Sequence, residues 1–424
     1  MTPGLEWVPT LMGSEPRWTV EPPISAVSQL VQPFVKQPSS NITFLAQGGF
    51  NKLYEVECTP PAESLVMRVS LPVYPTLKTA SEVATLRLVA TRTDVPVPRI
   101  IAFDALTGPE NPLGFEWILM QRISGVQLGT QWPTMDWEAK ISLVNRIADL
   151  MATMFAHLRF PQIGSIFENG ENSSQGDCLP NVVVGQIVSM AFFWDRRSTY
   201  DLPRGPFHSS RAWLESRLLL VSKDCNAILS NEDADEDDVE TAETTQELVT
   251  RLQRSLPDIF PDTDEGQEHF SLCHDDISQQ NILVDNSGHL AALVDWECVA
   301  VLPLWKTCQF PSFLVGRDRE NLPQREEYAG GTEKSDDQGG DDLYCEHVAE
   351  YELTKLRSAF LERMETMQPQ WVQTWRDPVA QKKADVDMAI QYCDSELCQR
   401  AISIWLDRID KGEEYLSLRE LLTK

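Results

Sequence analysis

The chain has 424 residues and a formal net charge of −28, from 64 acidic and 36 basic side chains. A field of this sign repels nucleic-acid phosphates and anionic membrane surfaces, so we expect neither nucleic acid nor membrane as a partner. Apolar residues make up 42% of the chain, as in ordinary globular proteins, and the length favours two lobes over one compact core.

Cysteine usage and the absence of long apolar runs indicate a cytoplasmic protein. The nine cysteines are scattered without a CxxC pair, which fits reduced thiols better than a disulfide framework or a zinc site. Residues 1–30 lack the apolar core of a signal peptide, and no stretch offers the roughly 18 apolar residues of a membrane span.

The first third of the chain predicts a small sheet-rich lobe. Residues 1–40 are rich in Pro and Ser and lack periodicity, so we expect an irregular leader. An N-lobe over residues 41–122 follows, in the order three strands, one helix and two strands. These elements are predicted at residues 42–45, 53–57, 65–69, 79–91, 99–103 and 115–120.

The rest of the chain is mainly helical, which predicts an α+β, two-lobed fold with a C-lobe over residues 123–424. Two acidic insertions interrupt it: residues 231–247 hold nine acidic and no basic side chains, and residues 318–346 hold ten acidic and three basic. We expect both to be loops or disordered. Helices are predicted at residues 136–158, after Ser209 or Ser210, and at 244–256, 350–367 and 386–410.

The strongest chemical signal is the run from His274 to Asp285. A carboxylate, Asp276, is followed five residues later by an amide, Asn281, and then by an apolar strand. Phosphoryl transfer needs this combination in one loop, because the carboxylate can align an attacking hydroxyl and the amide oxygen can bind magnesium. A second apolar strand leads to Asp295, and a hairpin would bring Asp295 back beside Asn281. An isolated Asp there would be an ordinary strand-end carboxylate, whereas the combination favours a shared metal site.

These segments, HDDISQQNILVD and LVDWE, resemble the catalytic loop and metal-binding segment of the aminoglycoside phosphotransferase and choline kinase-like enzymes, including many fungal proteins of unassigned substrate. The resemblance implies a protein-kinase-like fold that uses ATP and Mg²⁺. It makes Asp276 the catalytic base or the residue that positions the acceptor, Asn281 and Asp295 the magnesium ligands, and His274 a brace for the loop. Asp275 stands where these enzymes often have Gly.

The N-lobe supplies weaker matches to the same family. Gly48 and Gly49 lie where a phosphate-covering loop is expected, although such a pair is often only a turn. Arg68 occupies the strand position of the phosphate-binding lysine, and Glu82 is its expected partner or a solvated helix-start residue. Met120 falls where hinge backbone would contact adenine.

Features beyond the metal segment favour a small-molecule acceptor over a protein. Trp296 and Glu297 replace the Phe-Gly of protein kinases, and Glu297 could assist the metal, bind the acceptor or support the loop. Trp194, Trp213 and Trp305 are expected either to wall the acceptor cleft or to belong to the core. An aromatic and acidic cleft would suit a cationic amine.

The sequence therefore predicts an ATP- and Mg²⁺-dependent phosphotransferase acting on a hydroxyl of a small molecule. Two alternatives remain open: a pseudokinase that serves as a nucleotide-binding regulatory or scaffold module, and a protein kinase.

Overall fold

The computed structural model describes residues 3–10, 13–35, 41–58, 63–107, 111–169, 181–261, 268–328 and 337–422, with side chains described from residue 342 in the last range. Within these residues the chain has the α+β, two-lobed architecture that the sequence predicts. Antiparallel strands dominate the N-terminal part and helices dominate the remainder.

The N-terminal segment is ordered, so the irregular leader predicted for residues 1–40 is wrong where the structure describes it. It forms β1 (Leu5–Thr10), β2 (Gly13–Trp18) and α1 (Ile24–Val31). The two strands pair as an antiparallel hairpin. Trp18 packs against Phe115 with ring centroids 5.0 Å apart, and α1 buries Val27 and Val31 in the same core. The contacts with Phe115 join segments far apart in the sequence, so the local sequence does not reveal them.

The small lobe is one five-stranded antiparallel sheet with a single long helix. Its strands and helix are β3 (Ile42–Gln47), β4 (Asn51–Val56), β5 (Leu65–Ser70), α2 (Leu77–Arg92), β6 (Ile100–Asp104) and β7 (Glu116–Gln121). The spatial order is β3-β4-β5-β7-β6. The predicted succession of three strands, one helix and two strands is confirmed. Helix α2 also contributes Leu86 and Leu88 to the core of the large lobe, so it connects the two lobes.

Helices build most of the large lobe. They are α3 (Leu128–Gln131), α4 (Trp137–His157), α5 (Met190–Phe193), α6 (Ser210–Leu229), α7 (Glu236–Ile259), α8 (Leu304–Thr307), α9 (Asp337–Met367), α10 (Pro369–Arg376), α11 (Pro378–Tyr392), α12 (Glu396–Asp410) and α13 (Leu418–Leu422). Ser209 caps α6 by accepting a hydrogen bond from the Ala212 amide. The predicted helix over residues 386–410 is in fact two helices, α11 and α12. Across the described ranges, no helix is long and apolar enough to cross a membrane.

Short strands frame the loops that carry the candidate chemistry. They are β8 (Val126–Gln127), β9 (Arg159–Phe160), β10 (Ser165–Glu168), β11 (Val182–Gly185), β12 (Phe270–Cys273), β13 (Ile282–Val284), β14 (Leu290–Leu293) and β15 (Ala300–Pro303). β12 lies between β15 and β9, and the predicted hairpin of β13 and β14 pairs further with β8.

The acidic stretches are more helical than their composition predicts. From Glu236 onward the first stretch belongs to α7, and the Asp235 carboxylate caps that helix by accepting from the Asp237 amide at 3.0 Å. Acidic side chains are favourable in a first helical turn, and α7 buries Leu248 against the core. The second stretch joins α9 at Asp337, ahead of the predicted start at residue 350, while residues 329–336 lie outside the described ranges.

Candidate active site

The catalytic run forms a loop between two buried strands, β12 and β13. His274, the first residue of this loop, is buried beside Trp296, with ring centroids 4.7 Å apart. Its Nε2 donates a hydrogen bond to the Val294 carbonyl at 3.2 Å. Val294 in turn donates its amide to the Asn281 carbonyl at 2.9 Å. These contacts tie the loop to the segment that carries Asp295.

The His274 imidazole is held in its neutral form. Burial lowers the pKa of His274, against the smaller opposing effect of Asp275. Its Nδ1 is buried without a hydrogen-bond partner, so a proton placed there would find no acceptor. A neutral ring that donates from Nε2 satisfies both observations.

The Asp276 carboxylate is oriented by two side chains. Asn281 donates from Nδ2 to Asp276 Oδ2 at 2.8 Å and to the Asp276 carbonyl at 3.0 Å. Ser312 donates to Oδ1 at 3.3 Å. The sequence carried no signal for Ser312, because it lies 36 residues beyond Asp276 in an unremarkable turn. Asp276 is exposed on the wall of a cavity that Asp295 also lines, so its carboxylate is accessible to a ligand. We call this the main cavity because it contains both carboxylates.

Asp295 adopts a backbone conformation that non-glycine residues rarely take. Its φ angle is +65°, in the left-handed region, and the residue lines the same cavity as Asp276. Desolvation and the neighbouring Glu297 raise the pKa of Asp295, while Arg68 and Lys78 oppose that rise. Strained backbone of this kind is retained where the surrounding structure enforces it, often at functional sites.

Glu297 contacts the small lobe. Its Oε2 lies 2.6 Å from Lys78 Nζ and accepts a hydrogen bond from Asn51 Nδ2 at 2.8 Å. Burial alone would raise the pKa of Glu297, but Lys78 and Arg68 lower it, so the carboxylate stays ionised. Of the three roles left open by the sequence, these contacts favour support of the loop.

The donor set at this loop fits magnesium bound jointly with nucleotide phosphates. Among the described residues, no group of three or more His, Cys, Asp or Glu side chains is arranged to hold a metal alone. Magnesium in phosphotransfer sites commonly takes one or two protein oxygens plus substrate phosphates. The side-chain nitrogen of Asn281 donates to Asp276. Its side-chain oxygen, Oδ1, is therefore left for such an ion beside Asp295.

The glycine turn of the small lobe opens onto free space. Gly48 and Gly49 connect β3 to β4 and are exposed, and a side chain at either position would meet no protein atom within 4 Å. The next residue, Phe50, lines the cavity that contains Asp276 and Asp295. The turn therefore leaves room for a ligand over its backbone amides.

The other predicted N-lobe residues are buried. Arg68 on β5 and Glu82 on α2 form the expected ion pair, with side chains 7% and 2% exposed. Met120 on β7 is buried against Val83 and Ile118 and is not among the residues lining the main cavity. Any adenine contact there would have to come from backbone.

The main cavity has a volume of about 410 Å³ and extends from Asp276 into the large lobe. Trp194 and Trp213 line it, as one of the two sequence interpretations expects. Trp305 instead belongs to the core: its ring packs on Phe260 with centroids 5.7 Å apart, and its Nε1 donates to Ser210 Oγ at 2.9 Å.

Two residues that contact Glu297 were missed from the sequence. Lys78 lies in the first turn of α2, where the helix dipole disfavours a cation. This unfavourable position was the feature of the sequence that could have indicated a partner for Lys78. Asn51 follows the glycine turn directly, but nothing in its local pattern points to a partner 246 residues away.

Comparisons with known proteins identify a family and several relatives. The profile of the phosphotransferase enzyme family (APH) matches residues 41–305. A subtelomeric hrmA-associated cluster protein of Aspergillus fumigatus is 26% identical over 313 residues, covering 64% of this chain and 60% of that relative. The chain thus spans well under two thirds of the length of that curated relative.

Solved structures with similar folds include two kinds of kinase. A choline kinase from Cryptosporidium parvum aligns over 95% of this chain and 100% of its own, with 13% identity and a TM-score of 0.44. The aminoglycoside phosphotransferase APH(2'')-Ib, solved with ADP, aligns over 87% of this chain and 96% of its own, with 14% identity and a TM-score of 0.39. Since the family profile matches well over half of its length, the chain belongs to the phosphotransferase enzyme family.

Proposed function

We propose that this chain is a kinase that uses ATP and Mg²⁺ to phosphorylate a hydroxyl group of a small molecule. One observation carries the proposal: the Asp276 carboxylate is held by Asn281 at 2.8 Å on the wall of a cavity that Asp295 also lines. Residues 41–122 would be the nucleotide-binding N-lobe, and residues 123–424 the catalytic and acceptor-binding C-lobe.

Asp276 accepts a hydrogen bond from the acceptor hydroxyl and directs that oxygen at the γ-phosphorus. The new oxygen–phosphorus bond forms as the bond from the γ-phosphorus to the bridging oxygen of ADP breaks, and the hydroxyl proton passes to Asp276. Asn281 and Ser312 hold the carboxylate in one orientation. Most of the rate enhancement then comes from alignment and charge stabilisation.

Asn281 and Asp295 are the proposed magnesium ligands. They would hold the ion, which would supply charge neutralisation at the transferred phosphoryl group. His274 holds the Asp295 segment against the loop through the Val294 carbonyl. Glu297 supports the site through its ion pair with Lys78 and the hydrogen bond it accepts from Asn51.

The small lobe binds the nucleotide in this proposal. The turn at Gly48 and Gly49 covers the phosphates, and the space beside both residues is open. The Gly48 amide closes the turn by donating to the Asn51 carbonyl at 2.9 Å, so the Gly49 amide is the one that would bind phosphate. Arg68 reaches phosphate oxygens while Glu82 fixes its orientation. Backbone at Met120 contacts the adenine.

Two substitutions test the proposal, with a remote carboxylate as control. Asp276→Asn should lower phosphate transfer by about 10²–10⁴-fold while ATP affinity, measured by calorimetry, stays unchanged. Asp295→Asn should instead remove the Mg²⁺ dependence of ATP binding. Asp258→Asn, an exposed position on α7, should change neither quantity. Wild-type turnover in the Asp276 variant would refute the mechanism.

A screen for the acceptor separates this proposal from its alternatives. Incubation of a metabolite extract with ATP, Mg²⁺ and the protein should yield compounds that gain the mass of one phosphate. Nucleotide binding without any turnover would favour a pseudokinase. Transfer to a generic protein substrate, with none to metabolites, would favour a protein kinase.

A further inference from the structure

Part of the wall of the main cavity carries a cluster of two cations and one carboxylate. Lys306 on α8 and Arg217 on α6 both pair with the same carboxylate, Asp387 on α11. Lys306 Nζ lies 2.7 Å from Asp387 Oδ2, and Arg217 Nη1 contacts Oδ1. All three residues line the cavity that also contains Asp276.

The three groups remain charged at neutral pH. Asp387 is only 2% exposed, and its burial would raise its pKa, but Lys306 and Arg217 lower the pKa below its ordinary value. Asp387 likewise raises the pKa of Lys306 above its usual range, despite the opposing effect of burial. Two cations therefore share one anion.

This cluster has hydrogen-bond donors to spare. A lysine ammonium offers three N–H donors and a guanidinium five, whereas Asp387 engages one of each. In the described part of the chain, Asp387 is the one carboxylate in ion-pair contact with either cation. Asp275, also on the cavity wall, interacts with Lys306 only at longer range and raises its pKa slightly.

Arg197, the third cation on the cavity wall, does not contribute an excess of positive charge. Arg197 pairs with Asp224 at 2.6 Å and with Asp394 at 3.2 Å, so two anions surround one cation. The positive excess is therefore confined to Lys306 and Arg217. Asp276 and Asp295, which line the same cavity, belong to the proposed phosphoryl-transfer machinery.

Part of the cavity wall is apolar. Ile187, Trp194, Trp213, Leu220, Val221 and Ile390 all line the cavity. An occupant therefore meets apolar surface together with a hydroxyl-accepting carboxylate and a pair of cations.

We propose that the acceptor is a hydroxy acid with a largely apolar body, whose carboxylate binds Lys306 and Arg217 while its hydroxyl lies at Asp276. This inference rests on the proposed function. It differs from the cationic amine suggested by the acidic sequence. Of the other carboxylates on the cavity wall, Glu297, Asp387 and Asp394 are already in ion pairs. Charge-assisted hydrogen bonds from two donors give such a subsite both affinity and direction.

Matched acids and amides test the subsite by binding rather than by turnover. Thermal unfolding is followed with hydroxy acids of different spacing between carboxylate and hydroxyl, namely 3-phenyllactate, 4-(hydroxymethyl)benzoate and 6-hydroxyhexanoate, with the primary amide of each, and with choline. We expect the acids to raise the Tm of the wild type and the amides and choline to have little effect. Stabilisation by choline or by the amides equal to that by the acids would overturn the proposal.

Variants show whether the cations act on the ligand or only on the fold. Lys306→Met should weaken acid binding by about tenfold to a hundredfold, whereas Lys355→Met, at an exposed pair on α9, should leave it unchanged. Asp387→Asn keeps both cations and should retain acid binding. Equal acid binding in Lys306→Met and wild type would refute the subsite, as would its loss in a folded Asp387→Asn protein.

The two proposals can fail separately. Acid binding without transfer of phosphate to any compound would leave the anion subsite and remove the kinase assignment. Phosphorylation of a cationic metabolite, with no acid-dependent stabilisation, would keep the kinase assignment and remove the subsite.

Discussion

Lys78 and Glu297 form an ion pair that joins the two lobes across the cleft, with Nζ and Oε2 2.6 Å apart. The two side chains are 2% and 13% exposed, so water screens the pair little. Asn51, one residue past Phe50 of the glycine turn, donates to the same carboxylate oxygen. A single carboxylate beside the proposed metal ligand Asp295 thus fixes both α2 and the start of β4.

Replacing Lys78 with Met should destabilise the protein strongly. Glu297 would remain buried without its cation, and breaking a buried pair from one side costs about 3–5 kcal/mol. Urea unfolding at pH 7 measures the loss, and Glu297→Gln in the same background should recover part of it. The exposed pair of Lys355 and Glu320, 3.8 Å apart, is the control and should contribute about 0–1 kcal/mol. Equal effects at the two pairs would show that the interlobe contact is not a structural constraint.

The buried pair of Arg68 and Glu82 leads to a prediction about nucleotide affinity. Glu82→Gln should weaken ATP binding about tenfold, because Arg68 loses the partner that fixes its orientation. Arg68→Lys should also weaken binding, since an ammonium cannot reproduce the guanidinium geometry.

A more exposed ion pair of α2, between Arg87 and Glu168, is the control for this prediction. Arg87 and Glu168 lie 2.8 Å apart with side chains 39% and 25% exposed. Arg87→Lys should leave ATP affinity, measured by titration calorimetry, unchanged. If Glu82→Gln and Arg87→Lys have the same affinity, the nucleotide role of Arg68 is wrong.

The sequence predicted those parts of the molecule that rest on local patterns. Short apolar runs bounded by turn residues identified the five sheet strands. The spacing of Asp276 and Asn281 identified the catalytic loop, because the two residues are only five positions apart. The helix predicted at residues 244–256 is the second half of α7, whereas its first half was missed because its acidic composition conceals a capped helix start.

Contacts between distant segments could not be predicted. Ser312 reaches Asp276 across 36 residues, and Lys78 reaches Glu297 across 219. Neither partner alters the local pattern around the other, so only the folded chain reveals the pair. The positive excess at Lys306 and Arg217 is of the same kind, because it depends on three helices meeting at Asp387.

The N-terminal hairpin of β1 and β2 contacts the wall of the main cavity. Trp7 packs on Trp194 with ring centroids 5.2 Å apart, and Trp194 Nε1 donates to the Ser14 carbonyl at 3.0 Å. Trp194 lines the cavity directly. The hairpin therefore holds one side of the proposed acceptor site.

Trp7→Ala should raise the KM for the acceptor and leave the KM for ATP unchanged. Loss of an aromatic pair is worth about 0.5–1.5 kcal/mol, which corresponds to about a twofold to tenfold change. Phe44→Ala on the edge strand β3, where the side chain is 54% exposed, is the control and should alter neither constant. A parallel rise in both constants for Trp7→Ala would indicate general loosening of the protein.

His274 should make stability depend on pH below neutrality. Burial lowers its pKa relative to the unfolded chain, where histidine titrates near about 6.5. The stabilising contribution is therefore fully present above that value and is lost as pH falls through the lower pKa of the folded state. The buried Nδ1, which has no hydrogen-bond partner, is the physical reason, because a proton there would introduce an uncompensated charge.

The measurement compares the free energy of unfolding of the wild type and His274→Gln between pH 7 and pH 5. Glutamine can still donate to the Val294 carbonyl but does not titrate, so the wild type should lose stability more steeply on acidification than the variant. The difference between the two proteins should be nearly constant above pH 7, where the imidazole is neutral in both the folded and the unfolded chain. Parallel curves down to pH 5 would mean that the folded protein accepts a proton on His274 as readily as the unfolded chain does, and that the neutral ring does not hold the catalytic loop.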